Sequence, residues 1–596
     1  MQRALCVVTL LVLCGACPSG TDRAPAGAAV QPRAIVLVTV DGLVAEELSA
    51  FGGPRATPVL AELARTGNAW PGAWTTTPMT RPAAATYLTG LAADRHAVTD
   101  DLFIGLASDV PTLASELGAG GYRSAAFPDS SFLGPASGLL RGFEATGDTP
   151  PVPTQPWRWL PYLRPTDELV EDYESWLATL PSGSRCFAWF HFSQPLTDRL
   201  HAVVQPFVNA RRKKAKNPPP PTPVGIENVD RALGSVVESL RARGDFDDAL
   251  IVVAGTLGDA SGGATDPPGA GFSLAERAIR VPVVLKLPRG QRSPRPAEAS
   301  VWAPDVAATI AAAAGVRLGA GAEGVSLAER APEDRVRIAW TWALRDQLGL
   351  APARVGSAGG ASVFEGPATA EPQAVGSTGD TQRIADVLAS RPWPEPLRIP
   401  AKAARDLLAE SGIRVPPEAP QPVVLDAAQR REVAQALLLA RALLKRGQAR
   451  PALDAFRAAF ELAPDLPATR LDFGQALVMS ASGRAEALAV LRRGVELQPT
   501  DPEMLHWYAH ALWSDSWAES EKVLRAILPY KPNEGDVLYD LACTRSLAGD
   551  LDGSVEFLRR AIEAGFRTWG LMETDPDLRA LRASGRFAEV LKEYRK

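Results

Sequence analysis

The residues best suited to chemistry are an aspartate at the end of an apolar run and a small set of histidines. Asp41 directly follows IVLVTV, which predicts a buried strand over residues 35–40. Ligand sites of open α/β sheets lie at the carboxyl ends of strands, so Asp41 stands where a carboxylate could hold a divalent cation. Imidazole ligands are scarce, because the chain has five histidines: His96, His191, His201, His506 and His510.

Short apolar runs alternate with amphipathic segments of helix length from Ala34 onward. This pattern indicates an α/β domain with a mostly parallel sheet, and the continuous apolar runs indicate helices on both faces. The predicted strands are residues 35–40, 124–127, 187–192, 250–254 and 281–285. The predicted helices are residues 58–65, 167–180, 228–243 and 304–314, with Thr57 as the N-cap of the first.

Several segments of this α/β part resemble sulfatases, which belong to the alkaline phosphatase superfamily. The segments are IVLVTVDG at 35–42, ATPVL at 56–60, TPMTRPAAATYLTG at 77–90, GFE at 142–144, CFAWFHFSQP at 186–195, VDRALGSVVESLRARG at 229–244 and GFSLAERAIRVPVVLKLP at 271–288. The resemblance covers about half the chain. It implies a sulfatase-like fold and, in active members, ester hydrolysis with a divalent cation.

The resemblance assigns roles to two positions. Asp41 corresponds to the first metal ligand, and Thr80 to the nucleophile of the motif Cys/Ser-x-Pro-x-Arg, whose proline is kept as Pro82. Threonine cannot become the formylglycine that sulfatases require, although phosphoryl-transferring relatives use threonine. Ala84 replaces the basic residue of the motif, and Gly42 stands where sulfatases commonly have a second aspartate.

Three further motifs lack their expected histidines. Asp-His-Gly-Glu corresponds to TLGD at 256–259, Asp-Pro-His to QPL at 194–196, and Gly-His-Gly-Phe to GAGF at 269–272. Loss of second-shell partners alone costs about 10–100-fold in metal affinity, and loss of ligands should cost more. We therefore expect Asp41 and Thr80 to be vestigial, no cofactor, and a catalytically impaired domain.

Some histidines and carboxylates keep another hypothesis open. His96 and His191 are predicted to be satisfied structural histidines, whereas His201 is a plausible substitute ligand. A divergent hydrolase of sulfate or phosphate esters would rebuild its site and use a calcium or magnesium ion. Its candidate residues are Asp41, Thr80, Asp259, Asp266 and His201. A carbohydrate- or anion-binding module is a further alternative.

An isolated Asp41 without a cation would be costly to bury. It must be paired, hydrogen-bonded, solvated or protonated, and Arg81 is the nearest candidate partner in the motif.

The last third of the chain has a helical repeat. Small residues precede helix-ending glycines by seven positions at Ala440/Gly447, Ala476/Gly483 and Ala542/Gly549. Pro464, Pro499 and Pro532 follow the second helices at intervals of 35 and 33 residues, close to the roughly 34 residues of tetratricopeptide repeats. Such repeats form concave surfaces, so we expect a protein or peptide partner, or else an internal brace on the α/β domain. Trp507, Tyr508, Trp513 and Trp517 would suit either a core or a binding face.

The N-terminus is typical of an export signal. Arg3 precedes an apolar run that is too short to span a bilayer, and Cys14-Gly15-Ala16-Cys17 resembles a bacterial lipobox. Cys17 would then be lipidated and anchor the protein to a membrane, whereas without lipidation the protein would be periplasmic or extracellular. An uncleaved signal is the third alternative. The two cysteines beyond this segment, Cys186 and Cys543, are expected to be buried free thiols.

The charge of the chain argues against nucleic-acid binding, and its composition divides it into four parts. A net charge of -5 with interspersed signs gives no basic surface for nucleic acid. Residues 1–33 are expected to be the export segment, 34–350 the sulfatase-like domain, 351–426 a linker and connecting segment, and 427–596 the repeats. The sequence therefore predicts an exported binding or scaffold protein.

Overall fold

The structure is a computed structural model. It describes residues 31–101, 105–147, 163–200, 225–261, 271–332, 334–342, 352–366, 373–391, 393, 402–415, 425–445, 447–480, 483–513, 515–529, 531, 534–564, 566 and 568–594. The export segment with Cys17, as well as His201 and Asp266, lies outside these residues.

A seven-stranded sheet organises the α/β part, with strand order β2-β7-β6-β1-β5-β3-β4. Its strands are β1 (Ala34–Asp41), β2 (Asn68–Trp74), β3 (Arg123–Pro128), β4 (Ala145–Thr146), β5 (Cys186–Phe192), β6 (Leu250–Leu257) and β7 (Arg280–Lys286). β1 pairs in parallel with both β5 and β6, whereas β7 is antiparallel to its neighbours. Every residue of β1 is buried, and alternate side chains enter separate apolar clusters. The run IVLVTV is therefore continuous because helices cover both faces.

The helices of this part are α1 (Pro58–Thr66), α2 (Thr80–Thr89), α3 (Ala93–His96), α4 (Leu113–Ala119), α5 (Thr166–Thr179), α6 (Gly225–Arg243), α7 (Glu276–Ile279) and α8 (Pro304–Ala314). All five predicted strands and all four predicted helices form, with ends shifted by at most a few residues.

Thr57 occupies the N-cap position of α1, as predicted, but its side chain makes no capping hydrogen bond. Its hydroxyl bonds to Ser49 instead, 2.9 Å between the oxygens. The Asp230 carboxylate from α6 accepts the N–H groups of Val59 and Leu60 at 3.2 and 2.8 Å. A distant side chain thus caps the helix, which local sequence could not indicate.

The linker expected at the start of residues 351–426 is wrong in part, because strands occupy most of the described residues 352–366 and 373–375. A second, antiparallel sheet has the order β11-β10-β9-β8. Its strands are β8 (Arg337–Thr341), β9 (Ala353–Ala358), β10 (Ala361–Glu365) and β11 (Gln373–Val375). Gly356 shows why the composition misled: a Cβ there would lie 2.5 Å from the Ile384 side chain of the covering helix. Small residues in this segment permit close packing and do not indicate a flexible linker.

The C-terminal part is a series of helix pairs. The helices are α9 (Thr378–Ala389), α10 (Lys402–Glu410), α11 (Ala427–Lys445), α12 (Ala449–Leu462), α13 (Pro467–Val478), α14 (Arg484–Leu497), α15 (Pro502–Leu512), α16 (Trp517–Ile527), α17 (Gly535–Leu547), α18 (Leu551–Glu563), α19 (Trp569–Thr574), α20 (Arg579–Ala583) and α21 (Arg586–Tyr594). From α11 to α18, each odd-numbered helix packs on the next helix along the chain. Within the part of the chain that the structure describes, each helix is too short or too polar to cross a membrane.

One apolar cluster joins the helix pairs to the α/β part. It extends from Trp74 and Trp302, through Trp340 and Trp342 near β8, into the pairs α11–α18. Ionic contacts cross the same boundary, since Arg391 after α9 lies 3.2 Å from Asp94 of α3 and also pairs with Glu323. Trp507 and Tyr508 belong to this core. The expectation of an internal brace thus agrees with observed contacts.

Candidate functional site

The Asp41 carboxylate lies at the carboxyl end of the central strand and accepts hydrogen bonds from three hydroxyls. Thr80 and Ser193 both donate to Oδ2 at 2.7 Å, and Thr256 donates to Oδ1. The imidazole Nε2 of His191 lies 3.3 Å from Oδ2. All five side chains are at most 1% exposed, so the cluster is closed to solvent. We call these five residues the Asp41 cluster.

Local backbone features aim these donors at one carboxylate. The pairing of β1 with β6 shifts register after Val40, and Thr256 at this irregularity bonds to Asp41. Thr80 is the first residue of α2, a helix whose ten residues are all buried. The positive end of the helix dipole therefore faces a negative charge, which stabilises the ionised carboxylate.

Both ring nitrogens of His191 have hydrogen-bond partners. Nδ1 lies 2.9 Å from the Thr39 hydroxyl, which also has the Phe190 carbonyl within reach at 3.1 Å. Nε2 lies 3.3 Å from Oδ2 of Asp41 and 3.0 Å from the Ser193 hydroxyl oxygen. A protonated His191 forms a buried ion pair with the Asp41 carboxylate.

The pKa shifts agree with this assignment. Burial alone would raise the pKa of Asp41, but the His191 charge and the hydrogen bonds from His191, Thr256 and Thr80 together lower it. Burial alone would lower the pKa of His191, but the charge of Asp41 and its hydrogen bond, with the charges of Asp129 and Asp101, raise it. The pair is held in its charged form without a metal.

Two buried aspartates surround this pair. Asp129 accepts the Ser193 backbone N–H at 2.8 Å, and burial raises its pKa to about 7. Asp101 accepts the Arg81 N–H at 2.7 Å, and burial raises its pKa to about 7 as well. The negative charge that these two carboxyls add around Asp41 and His191 therefore depends on pH near neutrality.

Arg81 does not pair with Asp41. Its Nε donates to the Phe132 carbonyl at 2.8 Å, and burial lowers its pKa while the charges of Asp100, Asp101 and Glu534 oppose that shift. Glu534 lies just before α17, so the helix pairs approach the start of α2. The expected Arg81 partner is therefore wrong, because three hydroxyls and an imidazole surround Asp41.

Three positions that the resemblance assigns to metal ligands have no ligand atom: one is a glycine against the backbone, and two are buried leucines. Gly42 has φ +74°, and a Cβ there would lie 2.9 Å from the backbone nitrogen of Leu196. Leu196 and Leu257, which stand where two histidines would be expected, belong to one buried apolar cluster with Leu200 and Ala260. A cation needs several oxygen or nitrogen ligands, and hydroxyl donors already occupy the Asp41 oxygens. These residues do not fit the divalent cation that the resemblance implies.

Two of the remaining predicted residues, His96 and Asp259, are separate from the Asp41 cluster. His96 is buried, with Nε2 3.1 Å from the Thr86 hydroxyl and Nδ1 accepting the Val98 N–H at 3.1 Å. It is a satisfied structural histidine, as predicted. The Asp259 carboxylate accepts the N–H of Ser261 at 2.8 Å. His191, also predicted to be structural, is satisfied but belongs to the cluster.

Sequence reasoning missed Ser193, Thr256 and Asp129 as site residues. Each lies at the carboxyl end of a strand parallel to β1: Thr256 near the end of β6, Ser193 after β5, and Asp129 after β3, which lies on the far side of β5. The placement rule that selected Asp41 would have selected them too, because parallel strands bring their carboxyl ends to one edge.

Residues 33–316 match the family model described as Sulfatase. This part of the chain is a sulfatase-family domain. A search of curated proteins finds no match.

Solved structures of sulfatases and phosphonate hydrolases are similar to this chain. Phosphonate monoester hydrolase of Agrobacterium radiobacter is 18% identical with a TM-score of 0.44, over 61% of this chain and 93% of that one. The enzyme of the same name from Silicibacter pomeroyi is 18% identical with a TM-score of 0.44, over 60% and 94%. A putative sulfatase from Bacteroides thetaiotaomicron is 15% identical with a TM-score of 0.45, over 60% and 90%.

Proposed function

We propose that the sulfatase-family domain is catalytically impaired and serves, with the helix pairs, as an exported binding or scaffold protein. The observation that carries the proposal is the hydrogen bonding of Asp41. Both oxygens of its carboxylate accept hydrogen bonds from protein hydroxyls, and its charge is balanced by His191.

The state of Thr80 supports the same proposal. A nucleophile needs a base or a metal that takes its proton and an open path to the substrate. The Thr80 hydroxyl donates to a carboxylate whose pKa is lowered, so Asp41 is a weak base, and both residues are buried. Ala84, at the position of the basic motif residue, is packed in an apolar core and offers no charge to a sulfate.

The helix pairs supply the proposed binding surface. We propose that α11–α18 are tetratricopeptide-type repeats, since their lengths, pairing and proline intervals agree with that class. Gly447 and Gly549 have left-handed φ angles of 70° and 80° after first helices, as the repeat pattern predicts. Part of this region packs on the α/β part, and the remainder is proposed to hold a protein or peptide partner.

Export through the N-terminal signal is also proposed, with Cys17 as the lipidated residue. Fractionation of cells that express the full chain should place wild type with the membranes and Cys17→Ser in the soluble exported fraction. Soluble wild type would reject the anchor, and protein retained in the cytoplasm would reject export.

The catalytic part is tested by hydrolysis of aryl sulfate and aryl phosphate esters with calcium, magnesium, manganese or zinc. We expect no turnover above the buffer rate. Thr80→Ala and Thr89→Ala form a matched pair, because both threonines lie on α2 and Thr89 donates only to the Ala85 carbonyl of its own helix.

Turnover that Thr80→Ala abolishes and Thr89→Ala retains would establish the divergent hydrolase and overturn the impaired domain. Turnover equal in both variants would come from a contaminating enzyme.

A further inference from the structure

Two histidines of α15 and one aspartate of α17 converge in the helix pairs. Nε2 of His506 and Nε2 of His510 lie 2.7 and 3.0 Å from Oδ2 of Asp540, and 3.2 Å from each other. His506 and His510 are four residues apart, which places both rings on one face of the helix. Within the described ranges, this is the one group of three or more potential ligands whose atoms converge within 4.8 Å.

We propose that His506, His510 and Asp540 bind a divalent transition metal ion of the zinc class. Two ligands placed 2.0–2.1 Å from a tetrahedral zinc lie about 3.3–3.4 Å apart. The three observed distances are slightly shorter, so small side-chain rotations would open the triangle enough for an ion. Imidazole nitrogen and carboxylate oxygen favour zinc, cobalt, nickel or copper over calcium or magnesium.

The three atoms can be held together by hydrogen bonds or by a metal. With a proton on each Nε2, Oδ2 of Asp540 accepts two N–H groups, at 2.7 and 3.0 Å, and the 3.2 Å between the nitrogens carries no bond of its own. With both Nε2 atoms deprotonated, the same three atoms present lone pairs toward one point, and a metal ion would accept all three.

The surroundings carry excess negative charge. Asp575 and Asp577 lie close enough for the Asp575 and Asp540 charges to raise the pKa of Asp577, which burial raises most. Asp577 accepts the Trp513 indole N–H at 3.0 Å, and Asp575 accepts the Tyr539 hydroxyl at 2.7 Å. Among the described residues, no lysine or arginine forms an ion pair with these three aspartates. A divalent cation held by neutral imidazoles would balance these carboxylates in place of protonated histidines.

An earlier helix pair uses another cation at the corresponding place. Asp472 and Asp540 each lie eight residues after a repeat-ending proline, Pro464 and Pro532. Arg441 from α11 pairs with Asp472 on α13 at 2.6 Å, as the histidines of α15 pair with Asp540 on α17. The guanidinium carries a permanent positive charge, whereas the imidazoles can be neutral and bind a metal in its place.

The metal would link two helix pairs and keep one coordination position open. Three protein ligands leave the fourth position of a tetrahedral ion to water or to an incoming group. The His510 side chain is 35% exposed, so that position is accessible from solvent. A carboxylate or imidazole of a bound partner would fit it.

Cobalt(II) titration of the untagged full-length protein tests this site. We expect one cobalt per chain, with the visible absorption of a low-coordinate ion, and its displacement by zinc. His506→Gln and His510→Gln should each weaken binding by at least about 100-fold, beyond the 10–100-fold typical of second-shell changes.

Two variants are matched controls. Asp472→Asn removes the corresponding aspartate of the earlier pair, and Asp41→Asn removes the buried carboxylate of the Asp41 cluster, and both should bind cobalt as wild type does. His510→Gln changes a partly exposed side chain, and circular dichroism will verify its fold. Loss in His510→Gln with retention in both controls would support the site.

Absent binding in wild type, or unchanged binding in the double variant His506→Gln/His510→Gln, would overturn it. Loss in Asp41→Asn alone would locate a metal in the α/β part instead, and would also contradict the impaired domain.

Discussion

Asp41 and Asp540 are both aspartates on which imidazole nitrogen converges, but the other atoms around them differ in kind. Asp41 receives three hydroxyl hydrogens and an imidazolium in a closed interior. Asp540 meets two imidazoles at a partly exposed place, where the side chains of Asp540, His506 and His510 are 14%, 17% and 35% exposed. The first carboxylate is surrounded by hydroxyl donors, and the second by imidazoles, which can either donate a proton or bind a metal.

The difference shows that proximity of metal-ligating residues is a weak criterion by itself. Whether a carboxylate can bind a cation depends on how many hydrogen bonds it already accepts. Each hydroxyl that donates to it occupies a lone pair that a metal would need. The family resemblance pointed to Asp41, whereas the group of possible metal ligands that converges among the described residues lies in the helix pairs.

The largest expected effect is the loss of a buried charge. Asp41→Ala leaves three hydroxyls and His191 without their acceptor, so the free energy of unfolding should fall by about 3–5 kcal/mol. Asp540→Ala in metal-free protein should cost about 1 kcal/mol, because its histidines can become neutral and reach water. Urea unfolding followed by tryptophan fluorescence measures both, and equal losses would remove the contrast between the two clusters.

The pH dependence should come from the Asp41 cluster. The raised pKa of His191 means that its stabilisation is complete below about pH 6.5 and is lost as the pH rises through the folded value. Asp129, with a pKa of about 7 against an ordinary 3.8, acts in the same direction. The lowered pKa of Asp41 gives stabilisation that is complete above about pH 4 and is lost only in acid.

The unfolding free energy should therefore fall from about pH 4 to pH 7 through Asp129 and above about pH 6.5 through His191, by up to about 1.4 kcal/mol per pH unit for each proton released. Asp129→Asn should flatten this decline, as followed by urea titrations at each pH. A decline of the same slope in the variant would assign it to other groups.

Removal of a single hydroxyl should lower the free energy of unfolding more in the Asp41 cluster than in the helix pairs. Ser193→Ala removes a bond to a charged carboxylate and should cost about 2 kcal/mol. Ser554→Ala, equally buried between α17 and α18, removes a bond to the neutral Ala542 carbonyl and should cost about 1 kcal/mol. Thermal unfolding of the two variants compares them directly, and a larger loss at Ser554 would argue against an ionised Asp41.

The smallest expected effect is that of calcium or magnesium on the α/β part. Neither ion should stabilise wild type or Asp41→Asn, because three hydroxyls and His191 already surround the Asp41 carboxylate, and Gly42, Leu196 and Leu257 supply no further ligand. A functional site would give wild type about 2.7 kcal/mol at 100 times the dissociation constant, and the variant little. A melting shift that requires Asp41 would overturn this prediction.

The elements of the α/β part were predictable because each has its own pattern. Runs such as IVLVTV are long, apolar and bounded, and helices over 58–65 and 304–314 begin at prolines. β2 was missed because Pro71 and Gly72 interrupt it, and its register with β7 shifts there. Strands β9–β11 were missed because alanine, glycine and serine are typical of linkers as well as of tightly packed strands.

Only those residues of the site that stand at recognisable motif positions were predictable from the sequence. Asp41 and Thr80 followed from motif positions, and the structure brings them within 2.7 Å. The partners of Asp41 depend on which strands lie beside β1, and β5 and β6 come far later in the chain. For the same reason, the contact between the histidines of α15 and Asp540 could not be predicted, because it depends on how the helices pack and no sequence motif indicates that.

The leucine pair at 196 and 257 has a consequence for how this domain can change over generations. A histidine introduced at either position alone would place an imidazole in an apolar cluster, at a cost of about 1–3 kcal/mol and with no metal to offset it. An aspartate at Gly42 would strike the Leu196 backbone. Each single step toward the ligand set of active sulfatases is disfavoured, so selection would have to take several steps together. The closed interior therefore makes a return to the metal-binding residues difficult by single substitutions, and substitutions at exposed positions meet no such barrier.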